Sequence, residues 1–216
     1  MAEKRKQPYI WVTWLSKIMA GEQACLWASW FKAHHQNYRK AEGNFDLARW
    51  NMEHTRLLVQ TRMELARRGV TARVESQNAF QYQHANGAIL AGKPDIVALD
   101  DITATVVDCK TGRPKVSDRL QVQIYMYVLP ICFPKLALYR VHGRIVYPDH
   151  HVDIAPAAAG ENFGKHLDYF LDLLASESAP MQTASLSECR FCDITGTDCS
   201  ERVERGGCVS LGMIAD

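Results

Sequence analysis

Gly92-Lys93-Pro94-Asp95, then twelve residues, then Asp108-Cys109-Lys110-Thr111-Gly112: the reading of this stretch decides the fold. Its flanks, Ala88–Leu99 and Ile102–Cys109, are apolar or β-branched runs either side of Asp100-Asp101, the pattern of two strands and a turn. Alternate residues of a strand share a face, so Asp108 and Lys110 project together while Cys109 points the other way. A hairpin turning at Asp100-Asp101 sets Asp95 opposite Val106, which leaves Asp95 and Asp108 diagonal on one face, about 7–8 Å apart by backbone. Two carboxylates at that separation can converge on a hard cation such as Mg²⁺, which takes oxygen ligands and keeps several waters. A cation held there polarises a phosphodiester oxygen and activates water, and Lys110 would stabilise the developing negative charge. The plain alternative is a pair of strand-end charges with Lys110 bound to one of them. The apolar runs Ile96–Leu99 and Thr105–Val107 weigh against it, because polar groups at the ends of buried strands need partners.

Working outward, Trp11–Tyr38 reads as helical with a break near Gly21. Phe45–Arg68 is a stronger helix: Leu47, Trp50, His54, Leu57, Leu58, Thr61 and Leu65 recur at three- and four-residue spacing, and Gly69 suits a C-cap. Thr71–Gln83 reads as one or two short strands. Val116–Leu129 returns to helix, with Ser117 as N-cap and Pro130 just beyond its end. Leu136–His142 and Arg144–Tyr147 flank Gly143 as a hairpin, and Ala155–Gly160 is a loop. Glu161–Leu174 is amphipathic, with Phe163, Leu167, Phe170 and Leu174 on one side, and Pro180 closes it. Met181–Asp216 is polar and cysteine-bearing. The order implies an α/β or α+β core with a terminal extension.

The chain has 216 residues, 47% hydrophobic and 23% charged, with a formal net charge of +1. That composition excludes a disordered or collagen-like chain. No apolar run approaches the ~18 residues of a membrane span, and the basic start Met1–Gln7 is followed by no long apolar core, so a cytoplasmic protein is expected. The charge excludes a wholesale basic nucleic-acid binder; contacts to phosphates would need a local patch, which Arg113, Lys115 and Arg119 supply. Phosphate-binding glycine loops, dinucleotide fingerprints and serine nucleophile elbows are all missing from the sequence. Trp11, Trp14, Trp27 and Trp30 read as core packing, and His34-His35 and His150-His151 as surface.

The Pro-Asp, a dozen residues, then Asp-x-Lys-Thr-Gly resembles the PD-(D/E)XK nuclease superfamily, and more narrowly its RecB-like branch. Gln121-Val-Gln-Ile-Tyr125 fits that branch's Gln-x-x-x-Tyr motif, and His54 fits its upstream helical histidine, with Trp50 standing where the family has a companion glycine. From the residues alone, His54, Gln121 and Tyr125 read equally as satisfied core groups. The resemblance implies an α/β restriction-endonuclease-like core, a central mixed sheet flanked by helices, with a cysteine-rich cluster-binding extension. It implies a Mg²⁺- or Mn²⁺-dependent deoxyribonuclease whose metal is held by His54, Asp95, Asp108 and the backbone carbonyl of Cys109, with Lys110 assisting in-line attack by water. Gln121 and Tyr125 would border the site, contacting substrate phosphate or supporting Lys110. Glu53 is a fallback ligand and Glu75 a weaker one. Family members act as exonucleases or single-strand nucleases in repair, replication or CRISPR spacer processing. DNA, single-stranded or with free ends, is therefore the expected partner, with a helicase or CRISPR integrase beside it. Two rival classes remain: a non-catalytic DNA-binding or assembly subunit, and a zinc-bearing RNA-binding module.

Seven cysteines in a chain without a secretory signal point to metal or cluster ligation rather than disulfides. Cys189-x-x-Cys192 and Cys199 offer three thiols; by spacing alone Cys208 completes the set and zinc is the default metal. The iron–sulfur members of the family, among them CRISPR-associated exonucleases and AddB-type nucleases, place one cysteine before the core and three after it. That resemblance implies a [4Fe–4S] cluster on Cys25, Cys189, Cys192 and Cys199, with Cys208 in reserve, stapling the first helices to the last segment. Cys109 and Cys132 read as small core residues. The expected organisation is N-terminal helices over 1–44, a nuclease core over 45–180 and the cysteine-rich segment over 181–216.

Overall fold

The computed structural model describes residues 2–42 and 45–204; Cys208 lies outside them. In chain order the elements are β1 (Glu3–Lys4), β2 (Tyr9–Trp11), α1 (Val12–Met19), α2 (Leu26–His34), β3 (His35–Gln36), α3 (Leu47–Arg67), β4 (Thr71–Val74) and β5 (Phe80–Gln83). There follow β6 (Ile89–Gly92), β7 (Ile96–Asp100), β8 (Thr103–Cys109), α4 (Val116–Cys132), β9 (Arg140–Val146), β10 (His151–Ile154), α5 (Glu161–Ala175) and α6 (Leu186–Cys189).

The main sheet has the order β10-β9-β8-β7-β4, parallel between β8 and β9 and antiparallel elsewhere. A parallel neighbour requires a crossover, and α4 supplies it. A second sheet, β2-β6-β5, carries the chain into β7. Side chains alternate strictly across the main sheet. Val97, Ala104, Val106 and Ile145 pack with Val122, Val128 and Leu129 of α4, in the core that also takes Leu167, Leu171 and Leu174 of α5. Ile96, Ala98 and Val107 face Leu58 and Leu65 of α3. Full burial of each such aliphatic side chain contributes roughly 1.5–3 kcal/mol. The result is an α/β fold with a mixed sheet between helices. Among the described residues no helix is long and apolar enough to cross a membrane.

Several expectations change. Ile96 pairs with Val107 and Asp100 with Thr103, so the turn falls one residue later than the Asp-Asp pair suggested. Asp101 takes the strained corner, at φ +25°. Continuing that ladder by one residue sets Asp95 opposite Asp108 rather than diagonal to it. Ser117 sits inside α4, where its hydroxyl donates to Glu22 (2.6 Å); Lys115 is the capping residue, its N–H donating to the Asp118 carboxylate (3.0 Å). Pro130 lies within the last turn of α4, which continues through a bond from the Phe133 N–H to the Leu129 carbonyl (2.8 Å).

Gly143 is not a turn. It is the middle of β9, and the hairpin closes over Tyr147–His150 to β10. The glycine is needed because α4 crosses against it: a Cβ there would lie 2.6 Å from both Met126 Sδ and Val122 Cγ1. Trp11 is 39% exposed, while His34 is buried with Nε2 3.0 Å from the Leu174 carbonyl. Gly143→Val should therefore overpack the sheet–helix seam at a cost of about 1–3 kcal/mol, lowering Tm by about 5 °C. Gly112→Ala, which adds a methyl to open space, should leave Tm unchanged; thermal melts of the two variants check the contrast.

Candidate active site

The short link Lys93-Pro94-Asp95 between β6 and β7, the end of β8, the middle of α4 and the first half of α3 meet in one cleft of about 660 Å³. It is lined by His54, Asp95, Asp108, Cys109, Lys110, Gln121 and Tyr125, so the structure brings all seven sequence-derived candidates together. Strand alternation places them. Asp108 follows Val106 onto the α4 side and accepts from Gln121 Nε2 (3.0 Å). Cys109 follows Val107 onto the α3 side, where its thiol donates to Thr61 Oγ1 (3.8 Å). Asp95 sits where the two chains diverge. Its Oδ2 accepts the Cys109 backbone N–H (2.7 Å) and lies 3.2 Å from His54 Nε2.

Gln121 is the hub of the other half. Its amide nitrogen donates to Asp108 and lies 3.2 Å from the Tyr125 hydroxyl, and its Oε1 accepts from Lys110 Nζ (3.0 Å). Gln121 and Tyr125 are one turn apart on α4 and share a face. Gly92 admits the tyrosine, because a Cβ there would lie 2.7 Å from the Tyr125 ring. Lys110 Nζ also stands 2.7 Å from Asp108 Oδ2. That contact is a short ion pair to the buried Oδ2, so the ammonium compensates part of the cost of burying the carboxylate.

Burial, with Asp95 adding to it and Lys110 opposing it, pushes the Asp108 carboxyl up to about 6. Burial opposes the Lys110 charge too, but Asp108 more than offsets this and holds its pKa above the usual lysine range. The hydrogen bond to Asp95 raises His54 against the cost of its burial. Burial, helped by Asp95, pushes the Cys109 thiol up to about 12, so it stays protonated and only its backbone has ligand character. Burial likewise raises the Tyr125 hydroxyl.

The donor set suits a hard divalent cation. Two carboxylates and an imidazole line the cleft together. Among the described residues, no three His, Cys, Asp or Glu side chains, the cysteines included, stand arranged around a metal position; in the cleft His54 contacts Asp95 and Lys110 contacts Asp108. Occupancy would exchange those contacts for the cation.

Glu75 lines the cleft at φ +38°, its N–H bonded to the Asp95 carbonyl (2.9 Å) and its carboxylate 3.7 Å from Lys93 Nζ. Glu53 does not line it and pairs with Arg49 instead (2.9 Å). Of the basic loop, Arg113 and Lys115 line the cleft and Arg119 does not. Sequence reasoning missed Asp118 and Lys17, which also line it. Asp118 is buried and accepts from the Tyr147 hydroxyl (2.9 Å); its place three residues after Lys115, at the start of a helix, was the available signal. Burial and the neighbouring Lys115 and Lys32 hold the Lys17 pKa low, so positive charge is crowded there.

The four proposed cluster cysteines line a second cavity of about 900 Å³, which shares Lys17 and Lys115 with the first. Cys25, Cys189 and Cys199 are buried, and all four are free thiols. Glu188 beside Cys189 accepts the N–H groups of Ala24 (3.0 Å) and Cys25 (3.5 Å), and Cys189 Sγ accepts from the Val203 N–H (3.4 Å). Burial raises the Cys199 thiol, and the other three cysteines add to the shift.

The sequence model of the PD-(D/E)XK nuclease superfamily matches residues 15–196, and the chain belongs to that superfamily. The crystal structure of SSO0001 aligns with it at 15% sequence identity over 94% of this chain and 90% of that one, with a TM-score of 0.49. No curated protein matches the sequence.

A cation must compete with the proton on Asp108. Mn²⁺ at a hundred times its Kd should stabilise the protein by about 2.7 kcal/mol at pH 8, raising Tm by roughly 5 °C or more. Without metal, ionising a carboxyl whose folded pKa is raised costs stability as pH rises from its unfolded value through about 6. The Mn²⁺-induced shift should therefore be complete at pH 8 and fade as pH falls through about 6. Thermal shift with and without Mn²⁺ across that range checks this, with Asp108→Ala showing no shift at any pH.

Proposed function

We propose that the protein is a RecB-like, Mg²⁺- or Mn²⁺-dependent nuclease that hydrolyses phosphodiester bonds in DNA with free ends or single-stranded character. The observation that carries this is the unbroken contact chain from His54 through Asp95 to Cys109, and from Asp108 through Gln121 to Lys110, in a cleft edged by Lys17, Arg113 and Lys115. His54, Asp95, Asp108 and the Cys109 carbonyl are the proposed metal ligands. A divalent cation bound there supplies Lewis-acid polarisation of the scissile phosphate and acidifies water. Lys110, held charged by Asp108 and aimed by Gln121, sets a donor beside the attacked phosphate, where negative charge grows. Gln121 is a positioning residue that fixes the carboxylate and the ammonium relative to each other, and Tyr125 backs it. Crowded positive charge at Lys17 and Lys115 favours an incoming phosphate chain.

We further propose that Cys25, Cys189, Cys192 and Cys199 hold a [4Fe–4S] cluster. Four free thiols lining one cavity, with Glu188 accepting the Ala24 and Cys25 N–H groups and the Val203 N–H aimed at the Cys189 sulfur, support that reading. Its role is structural: it ties the helices of 1–44 to the segment 181–216 across the core of 45–180. A helicase or a CRISPR integrase is the proposed partner.

End-labelled single-stranded DNA should be cut in Mn²⁺ by the wild type, and Asp108→Ala and Lys110→Ala should each lose at least about a hundredfold in rate. Equal cleavage by the variants would refute the site. Anaerobically purified protein should be brown and contain iron and sulfide; a colourless protein with one zinc per chain would replace the cluster with zinc.

A further inference from the structure

The cleft has an apolar rim that phosphodiester hydrolysis does not need. Trp50 on α3 is stacked on His54 (centroids 5.0 Å apart, planes at 17°), and Phe45, just ahead of that helix, lies 6.2 Å from the Trp50 ring. Both line the cleft, as does Trp11 from the end of β2. None is covered: Phe45 is 67% exposed, Trp11 39% and Trp50 37%. Large aromatic rings left open in a site otherwise lined with charge face a cost in water that packing elsewhere does not recover.

The cleft lining is of two kinds, aromatic and cationic. The aromatic group is continuous with His54, which contacts Asp95. The cationic group is continuous with Lys110 on Asp108: Lys17 feels Lys115 and Lys110 as neighbours, and Lys115 opens α4. A polymer lying across the carboxylate pair thus meets both open rings and ammonium groups. A single nucleic-acid strand offers a partner to each, with flat bases on one edge and phosphates on the other. A duplex turns its bases inward and offers phosphates on both sides, leaving the rings unused.

We propose that Trp50 and Phe45 form a base-stacking platform beside the scissile phosphate, with Trp11 at its edge, and that this platform selects single-stranded DNA over duplex. This rests on the nuclease reading above and names its substrate class. Trp50 is a specificity residue with a second effect, since its ring also covers His54.

The test compares wild type, Trp50→Ala, Trp50→Phe and Phe45→Ala on a 5′-labelled 20-mer, on its duplex, and on the same strand with abasic residues flanking one phosphodiester bond. Stacking on a ring is sequence-tolerant, and its loss should cost about tenfold in kcat/KM on the intact strand. Abasic flanks should cost the wild type the same factor at the bond they flank, and should cost Trp50→Ala little more. Trp50→Phe should recover most of the rate, and preference for single strand over duplex should fall in both alanine variants. Wild-type cleavage that ignores the abasic flanks, with Phe45→Ala matching wild type on both strands, would overturn the platform while leaving the nuclease intact. If the wild type cuts neither strand, the nuclease reading itself fails. The wild-type abasic comparison needs no variant, so misfolding of Trp50→Ala does not remove the test.

Discussion

Two carboxylates buried beside each other at the end of a strand pair are the constraint around which the rest is arranged. Isolated ionised carboxylates out of water cost many kcal/mol, and like charges at close range raise that cost. Each aspartate is therefore met from a different direction: Asp95 by the Cys109 N–H and His54, Asp108 by Gln121 and Lys110. Those partners come from both helical layers, so the site exists only where α3 and α4 are clamped on opposite faces of one sheet. Gly143 and Gly92 permit two close approaches of α4, one admitting the helix to the main sheet and the other admitting Tyr125 to the site.

The compensation for Asp108 is incomplete, and this links fold to chemistry. Gln121 and Lys110 meet its two oxygens, yet burial still holds the carboxyl well above its ordinary range. Perturbed groups of this kind are found at functional sites more often than elsewhere. In a chain of the PD-(D/E)XK nuclease superfamily, a divalent cation would favour the ionised form that burial opposes.

Much of this was legible in the sequence because it is local. The apolar and β-branched runs either side of Asp100-Asp101 revealed the β7–β8 hairpin, although Ala88–Leu99 divides into β6 and β7 at Lys93-Pro94-Asp95, and the face from Leu57 to Leu65 revealed the buried stripe of α3. Asp108, Lys110, Gln121 and Tyr125 could be assigned to shared faces from strand and helix periods alone. What was hidden depended on packing between distant segments. A glycine in a strand and a glycine in a turn look alike until a helix is laid across Gly143. The one-residue difference in register followed from Asp101 accepting a strained φ, which local propensity does not anticipate. Asp118, Lys17 and the exposure of Trp11 could be assigned to the cleft only once α1 and α4 were known to meet. The meeting of Cys25 with Cys189, Cys192 and Cys199 on one cavity was legible only through the family resemblance, because spacing alone favours Cys208.

The most direct test of the central claim is anomalous diffraction from a crystal of the protein soaked in Mn²⁺. The account predicts a manganese peak bounded by His54, Asp95 and Asp108, with the His54–Asp95 contact opened and Lys110 displaced from Asp108. A saturating soak that leaves those two contacts in place, with manganese absent from the cleft or bound elsewhere, would contradict it.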